Sequence, residues 1–386
     1  MPRYLSFLLV CLPLWAAPAY ANCKTDIDAY ELIDLIPDVE DEADWSALAI
    51  DKSGRVILQR SDPFGDTPDT EFIRESSGRR RAVKQADDSA TRTTIALLDN
   101  RVRFVDFHRQ EPGYLPVHIQ TLVDRRGGEI AVSEYCQAPE EGSELTQFVI
   151  SPSGKQMAGV FSSETRQSVA RCRADKAAEH LFEAEPSLIL KVISDAGVLA
   201  GITEAETGNS AWRWDTNGRT DFEFDPTEVQ EISFGGIDEN GDVYVSTTDL
   251  TKNQSLRLNA NGERIENAIL PGPGWDVMSQ SVGPCGHIFG YAVHTNFESF
   301  DALSEDEKAR LRDDMSAYMA LAQAREEAYF VWSVAGKGLF LNAITAGLSD
   351  WSSMDIQAVN ARGQAIGAAT NPDGYRRPIM LNPIKR

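Results

Sequence analysis

KVISDAGVLAGITEAETGNSAWRWDTNGRT runs from Lys191 to Thr220, and GGIDENGDVYVSTTDLTKNQSLRLNANGER from Gly235 to Arg264. The second passage repeats the plan of the first. An apolar alternating run meets a tight turn, Asp195-Ala196-Gly197 or Glu239-Asn240-Gly241, and a short strand and a polar loop follow. A third strand then ends in a second turn, Asn217-Gly218 or Asn261-Gly262. Period-2 alternation broken by Asn-Gly or Asp-x-Gly is a hairpin signal, because these residues tolerate the turn backbone. Two hairpins per unit make a four-stranded antiparallel sheet.

Followed outward, the first turn of each unit recurs at Gly54, Arg101, Gly154, Gly197, Gly241, Gly286 and Gly363. The second turns keep step at Gly78, Gly127, Asp175, Gly218, Gly262 and Gly336. A period near 45 residues with four strands per unit is the signature of a propeller blade. The expected fold is all-β, a seven-bladed propeller of four-stranded antiparallel blades. The seventh unit runs out of chain before its fourth strand. Tyr30–Ile36 resembles the fourth strand of the fifth unit and is expected to complete the last blade, closing the ring and removing exposed sheet edges.

The long interval before Gly363 holds an insertion, Asn296–Ala328, in blade six. Ser304-Glu305-Asp306-Glu307 is a capping box, and Leu311, Met315, Tyr318, Met319 and Ala322 recur at helical spacing. The reading is a helix from about Ser304 to Glu327. Its apolar residues, with Phe297, Phe300 and Leu303, are the candidate partner-docking residues: Phe297, Phe300, Leu303, Leu311, Met315, Tyr318 and Met319.

At the other end, Arg3, the apolar run Leu5–Trp15 and Ala19-Tyr20-Ala21 have the order of a secretory signal peptide. Residues 1–21 are read as that signal and 22–386 as a single propeller domain. The location is then periplasmic or secreted. The apolar run is too short to span a bilayer, and no other run of spanning length exists, so no transmembrane segment is expected. Beyond Cys11, the chain has Cys23, Cys136, Cys172 and Cys285, an even number suited to disulfides outside the cytoplasm. With four strands per blade, both tight turns of every blade lie on one face and the long loops on the other. Cys23 then precedes the closing strand on the turn side and Cys285 sits in a turn of the neighbouring blade, so Cys23–Cys285 is an expected pairing. Cys136–Cys172 follows by elimination and fits worse, since Cys136 is expected near the loop end of its blade and Cys172 near the turn end.

The units resemble known repeats. Ala358-Val359-Asn360-Ala361-Arg362-Gly363-Gln364-Ala365-Ile366-Gly367, with Asn371-Pro372-Asp373-Gly374 and Pro378-Ile379-Met380-Leu381, resembles the HAF repeat of bacterial extracellular proteins. The unit around Gly197, Gly201 and Ala211-Trp212-Arg213-Trp214 is similar. Ser151-Pro152-Ser153-Gly154-Lys155 resembles the repeats of TolB-type periplasmic propellers. The resemblance implies a propeller and supplies no catalytic residue, since function resides in sites rather than folds.

The formal charge of −22 excludes nucleic acid as a natural ligand. Summed by position, the tight turns are neutral to basic while the long loops carry the acid. The acid keeps an exported chain soluble, and it also offers a docking face for a basic partner or a cation. His108, His118, His180 and His294 map to the loop face and His287 to a turn, with no metal-ligand spacing among them. Asp238-Glu239-Asn240-Gly241-Asp242 starts like a calcium loop but lacks its spacing, and turn chemistry accounts for it better. Trp212, Trp214, Trp332 and Trp351 are read as packing between blades. No catalytic, metal or cofactor residue is assigned. The expected function is a monomeric exported binding or scaffold module, with a protein partner of basic character on the acidic loop face and inserted helix. The alternative is a hydrolase or lyase acting on a glycan or other extracellular substrate through loop-face carboxylates and a histidine.

Overall fold

The computed structural model describes residues 27–39, 43–62, 69–83, 90–99, 102–109, 117–173, 176–205, 208–225, 229–249, 253–266, 275–294, 304, 326–332 and 338–384. Strand β1 (Ala29–Asp34) precedes blade 1, which is β2 (Asp44–Ile50), β3 (Val56–Ser61), β4 (Thr70–Arg74) and β5 (Arg80–Ala82). Blade 2 is β6 (Ala90–Leu97), β7 (Arg103–Arg109), β8 (Val117–Val123) and β9 (Glu129–Ala131), followed by the helical turn α1 (Val132–Tyr135). Blade 3 is β10 (Glu144–Ile150), β11 (Met157–Ser162), β12 (Gln167–Arg173) and β13 (Lys176–Ala184). Blade 4 is β14 (Leu188–Ile193), β15 (Leu199–Ala205), β16 (Gly208–Asp215) and β17 (Gly218–Glu223). Blade 5 is β18 (Val229–Ile237), β19 (Val243–Asp249), β20 (Asn253–Leu258) and β21 (Arg264–Glu266). Blade 6 is β22 (Trp275–Val282), β23 (Ile288–His294), β24 (Glu326–Trp332) and β25 (Gly338–Phe340), followed by α2 (Leu341–Ile344) and β26 (Thr345–Ala346). Blade 7 is β27 (Ser352–Val359), β28 (Ala365–Thr370) and β29 (Arg376–Ile384). The sheet order is sequential within blades 1 to 6, and blade 7 reads β26-β1-β29-β28-β27. This is the seven-bladed propeller the repeats imply.

The N-terminal strand closes the ring. β1 pairs antiparallel with β29 from Ala29↔Ile384 to Asp34↔Ile379. The Tyr30 ring meets Phe289 of blade 6 edge-on at 5.5 Å, and Leu35 and Ile36 are buried with Trp45 and Val56 of blade 1. The hydrophobic clusters lie between neighbouring blades, so each sheet is buried on both faces. A polar tie joins blades 1 and 2: buried Glu71 accepts from Thr94 Oγ1 at 2.6 Å and from Arg103 at 3.2 Å.

The tight turns hold because their first residue caps the backbone that follows. Asp51 Oδ1 accepts from the amides of Ser53 and Arg55 at 2.9 and 3.0 Å. Asp238 Oδ1 does the same for Asn240 and Asp242, and Asn360 Oδ1 for Arg362 and Gln364. Asp238 is therefore a turn-capping residue in the same role as Asp51 and Asn360.

Cys136 and Cys172 form a disulfide with Cα atoms 4.8 Å apart. The expected mismatch of their ends does not arise, for a physical reason. β9 is only three residues long, and α1 then advances at helical rather than strand rise, so Cys136 stays near the turn end. Gln137 consequently bridges in parallel to Ala177, at the start of β13. The blade 6–7 connection repeats the device: β25, α2, then Tyr30↔Thr345 in parallel. Cys285 is also disulfide-bonded, and Cys23 lies outside the described residues, so the Cys23–Cys285 pairing stays a proposal.

Candidate functional site

The inner strand of each blade lines the propeller axis, and none is regular. In five blades its register slips three residues before the turn: between Ala47 and Ala49, Thr94 and Ala96, Leu190 and Val192, Phe234 and Gly236, and Ile356 and Ala358. A bulge leaves its extra residue out of the ladder and re-aims it. The extra residues are Leu48, Ile95, Lys191, Gly235 and Gln357, and all five line one axial cavity of about 410 Å³. In blades 3 and 6 the slip falls earlier, between Leu145 and Gln147 and between Val277 and Ser279. Those blades contribute Ile150, Pro152, Val282 and Pro284.

Glycine makes the bulge fit. Gly201 lies opposite the slip in β14, and a Cβ there would sit 2.0 Å from the Ile189 carbonyl oxygen. Gly367 lies opposite the slip in β27, and a Cβ would sit 1.8 Å from the Asp355 carbonyl oxygen. The second glycine of the repeat thus allows Lys191 and Gln357 to reach the axis.

The rim is built from the tight turns. Lys52 pairs with Asp99 across blades 1 and 2 at 3.0 Å. The Asp99 amide donates to Pro152 O at 3.2 Å, and Ser153 donates to Asp195 Oδ1 from its amide at 3.0 Å and its hydroxyl at 2.6 Å. Beyond these, Glu239 N donates to Pro284 O and Asn360 Nδ2 to Asp51 O. These bonds fasten blade to blade and hold the mouth in shape. At the blade 4–5 junction the turn tips bring two carboxylates together, Asp195 and Glu239. Partial burial raises the Glu239 carboxyl above its ordinary pKa, and the Asp195 and Asp238 charges push it the same way.

The cavity is mixed in chemistry. Ile95 is 46% exposed, although it lies on an inner strand. With Leu48 it forms an apolar wall on blades 1 and 2. Gln357 supplies an amide. Lys191 is an exposed cation with no ion-pair partner among the described residues, whereas Lys52 is paired. Lining residues include Asp51, Asp99, Asp195, Asp238 and Glu239.

Phe297, Phe300, Leu303, Leu311, Met315, Tyr318 and Met319 lie outside the described residues. The insertion ends earlier than expected, because Glu326 and Glu327 already pair with His294 and Val293 in the blade 6 sheet. His108 and His118 are cross-strand partners in blade 2, and His294 ends β23. His180 stands in the middle of β13, 3.3 Å from Glu183 on an exposed outer strand, and His287 is buried after its turn. Trp212 is buried and donates to Ile202 O, with Phe182 edge-on at 5.9 Å. Trp214 stacks on Phe182, and Trp351 packs against the blade 6–7 core; the Trp332 side chain is outside the described residues. The axial cavity was not anticipated. Its signal is the residue three before each turn start, a column visible once the units are aligned on their turns.

No family model matches the sequence, and no curated protein matches it. Solved structures do resemble it. One is a prolyl endopeptidase structure with a TM-score of 0.57 at 10% identity, matched over 93% of this chain and 49% of that one. A streptogramin B lyase structure gives 0.47 at 11% identity over 92% and 98%, and TolB from Acinetobacter baumannii 0.39 at 10% identity over 81% and 76%. The first likeness shows the propeller fold alone, and this chain spans about half the length of that enzyme.

Proposed function

We propose that the protein is an exported binding module whose ligand site is the axial cavity on the tight-turn face. The observation that supports this is the convergence of five bulge residues, Leu48, Ile95, Lys191, Gly235 and Gln357, on one cavity of about 410 Å³. That volume lies in the range of small-ligand pockets, as does an apolar wall with a few placed polar groups. The blade-to-blade bonds around the rim pre-form the site, which lowers the ordering cost of binding.

Ligand-observed NMR with a library of small polar fragments tests the reading on the wild type and on Ile95→Trp and Gln357→Trp. Both positions are exposed to the cavity, so the fold should tolerate an indole there, and circular dichroism checks it. Fragment binding should be lost in both variants. Fragments that bind the wild type and both folded variants equally would overturn the assignment.

A second surface is proposed on the opposite face, for a protein partner of basic character. Exposed Glu140, Glu141, Glu144, Glu164, Glu183 and Asp225 favour it. Its affinity for a basic protein such as cytochrome c should fall steeply between 50 and 200 mM salt (values on the order of the screening range). Salt-independent binding, or none at low salt, would refute it.

A further inference from the structure

Resting on the axial-cavity reading, we infer that the cavity takes a short peptide with free ends, its carboxylate at Lys191 and its ammonium at Asp195 and Glu239. The argument is the disposition of charge inside one cavity. Lys191 is its unpaired cation among the described residues, and Ile95 and Leu48 supply an apolar wall of the same cavity. The rim at the neighbouring junction carries the opposite sign, Asp195 and Glu239. A simple anion at Lys191 is disfavoured by the negative charge of those carboxylates in the same cavity. A simple cation held at the rim leaves Lys191 uncompensated. A neutral apolar ligand satisfies neither end. A zwitterion with an apolar body satisfies all three zones.

The spacing sets the length. Lys191 and Asp195 lie four residues apart on one inner strand and its turn, roughly 13 Å along an extended chain. The lysine side chain shortens that by up to about 6 Å, which leaves the reach of two or three peptide residues at about 3.3–3.6 Å each. Ser153 holds Asp195 Oδ1 with two hydrogen bonds, so this carboxylate is already oriented before a ligand arrives.

The experiment is calorimetric titration of the full chain with alanyl-leucyl-alanine, its N-acetyl form and its C-terminal amide, on wild type, Lys191→Met and Asp195→Asn/Glu239→Gln. The free tripeptide should bind wild type at least about tenfold more tightly than either capped form, the value of one charge-assisted contact. Lys191→Met should abolish the preference for a free carboxylate and keep that for a free amine. Asp195→Asn/Glu239→Gln should do the reverse. Equal binding of free and capped peptides to wild type, or discrimination that survives in the matching variant, would overturn the inference. If fragments bind in a way that Ile95→Trp blocks but the tripeptide does not bind at all, the peptide inference fails while the cavity reading stands. If Ile95→Trp blocks nothing, both fail.

Discussion

Cys136–Cys172 gives a perturbation whose size can be worked from the structure. The bridge spans a sequence separation of 36 and ties the blade 2–3 connection to the third strand of blade 3. In the chain-entropy account, closing a loop of that length stabilises the fold by about 4 kcal/mol at 25 °C. Both cysteines are buried, Cys136 to 1% exposure and Cys172 to 7%. A serine pair would add unsatisfied hydroxyls to the entropic loss, so the cleaner variant is Cys136→Ala/Cys172→Ala. The assay is urea unfolding of wild type and variant, each with and without reductant, with thiol counting to confirm the redox state. The variant's unfolding free energy should fall by about 2–4 kcal/mol, the lower figure if the unfolded chain keeps residual structure. Reductant should lower the wild type further than the variant. The variant should keep a smaller response of its own, because Cys285 is also disulfide-bonded. A fully reduced wild type with an unchanged midpoint would refute the argument, since the constraint would then be carried entirely by α1 and the Gln137–Ala177 bridge.

Glu185 is held at a pKa of about 2, chiefly by its hydrogen bonds from Arg219. Its folded value lies below the unfolded one, so its contribution is full above about pH 4.5 and is lost as pH falls toward 2. The stability gap between wild type and Glu185→Gln, read from melting curves, should be flat from pH 7 to 5 and shrink below 4.5; a gap that grows on acidification would refute this. Glu71→Ala should cost about 1–3 kcal/mol, because it removes the acceptor of the buried Thr94 amide and hydroxyl, and chemical denaturation should show it. A loss under 1 kcal/mol would mean that water replaces the carboxylate. Gly367→Ala should destabilise by about 2–4 kcal/mol through the clash with the Asp355 carbonyl, whereas Gly374→Ala meets no atom within 4 Å and costs only what its positive φ of 87° imposes. If both cost the same, the bulge is not what the second glycine serves.

The sequence was legible where local chemistry repeats and illegible where one residue departs from the ladder. Asp51, Asp238 and Asn360 announce their turns because each must cap the backbone that follows. The period of those turns led to seven blades, and the likeness of Tyr30–Ile36 to a fourth strand led to the closed ring. Strand alternation, by contrast, assigns Lys191 and Gln357 no special direction. Only the slip beside Gly201 and Gly367 turns them to the axis, and a slip leaves no mark in a single unit. It does leave one in the aligned units: the same glycine, four residues after the turn glycine, stands in blades 4, 6 and 7 as Gly201, Gly290 and Gly367. In blade 6 that glycine serves a different end. A Cβ at Gly290 would meet the Phe330 ring at 2.0 Å, and the slip in that blade falls two residues earlier. The same sequence mark therefore makes room for a channel residue in two blades and for core packing in a third. That is why the fold could be read from the repeat while the cavity required the register.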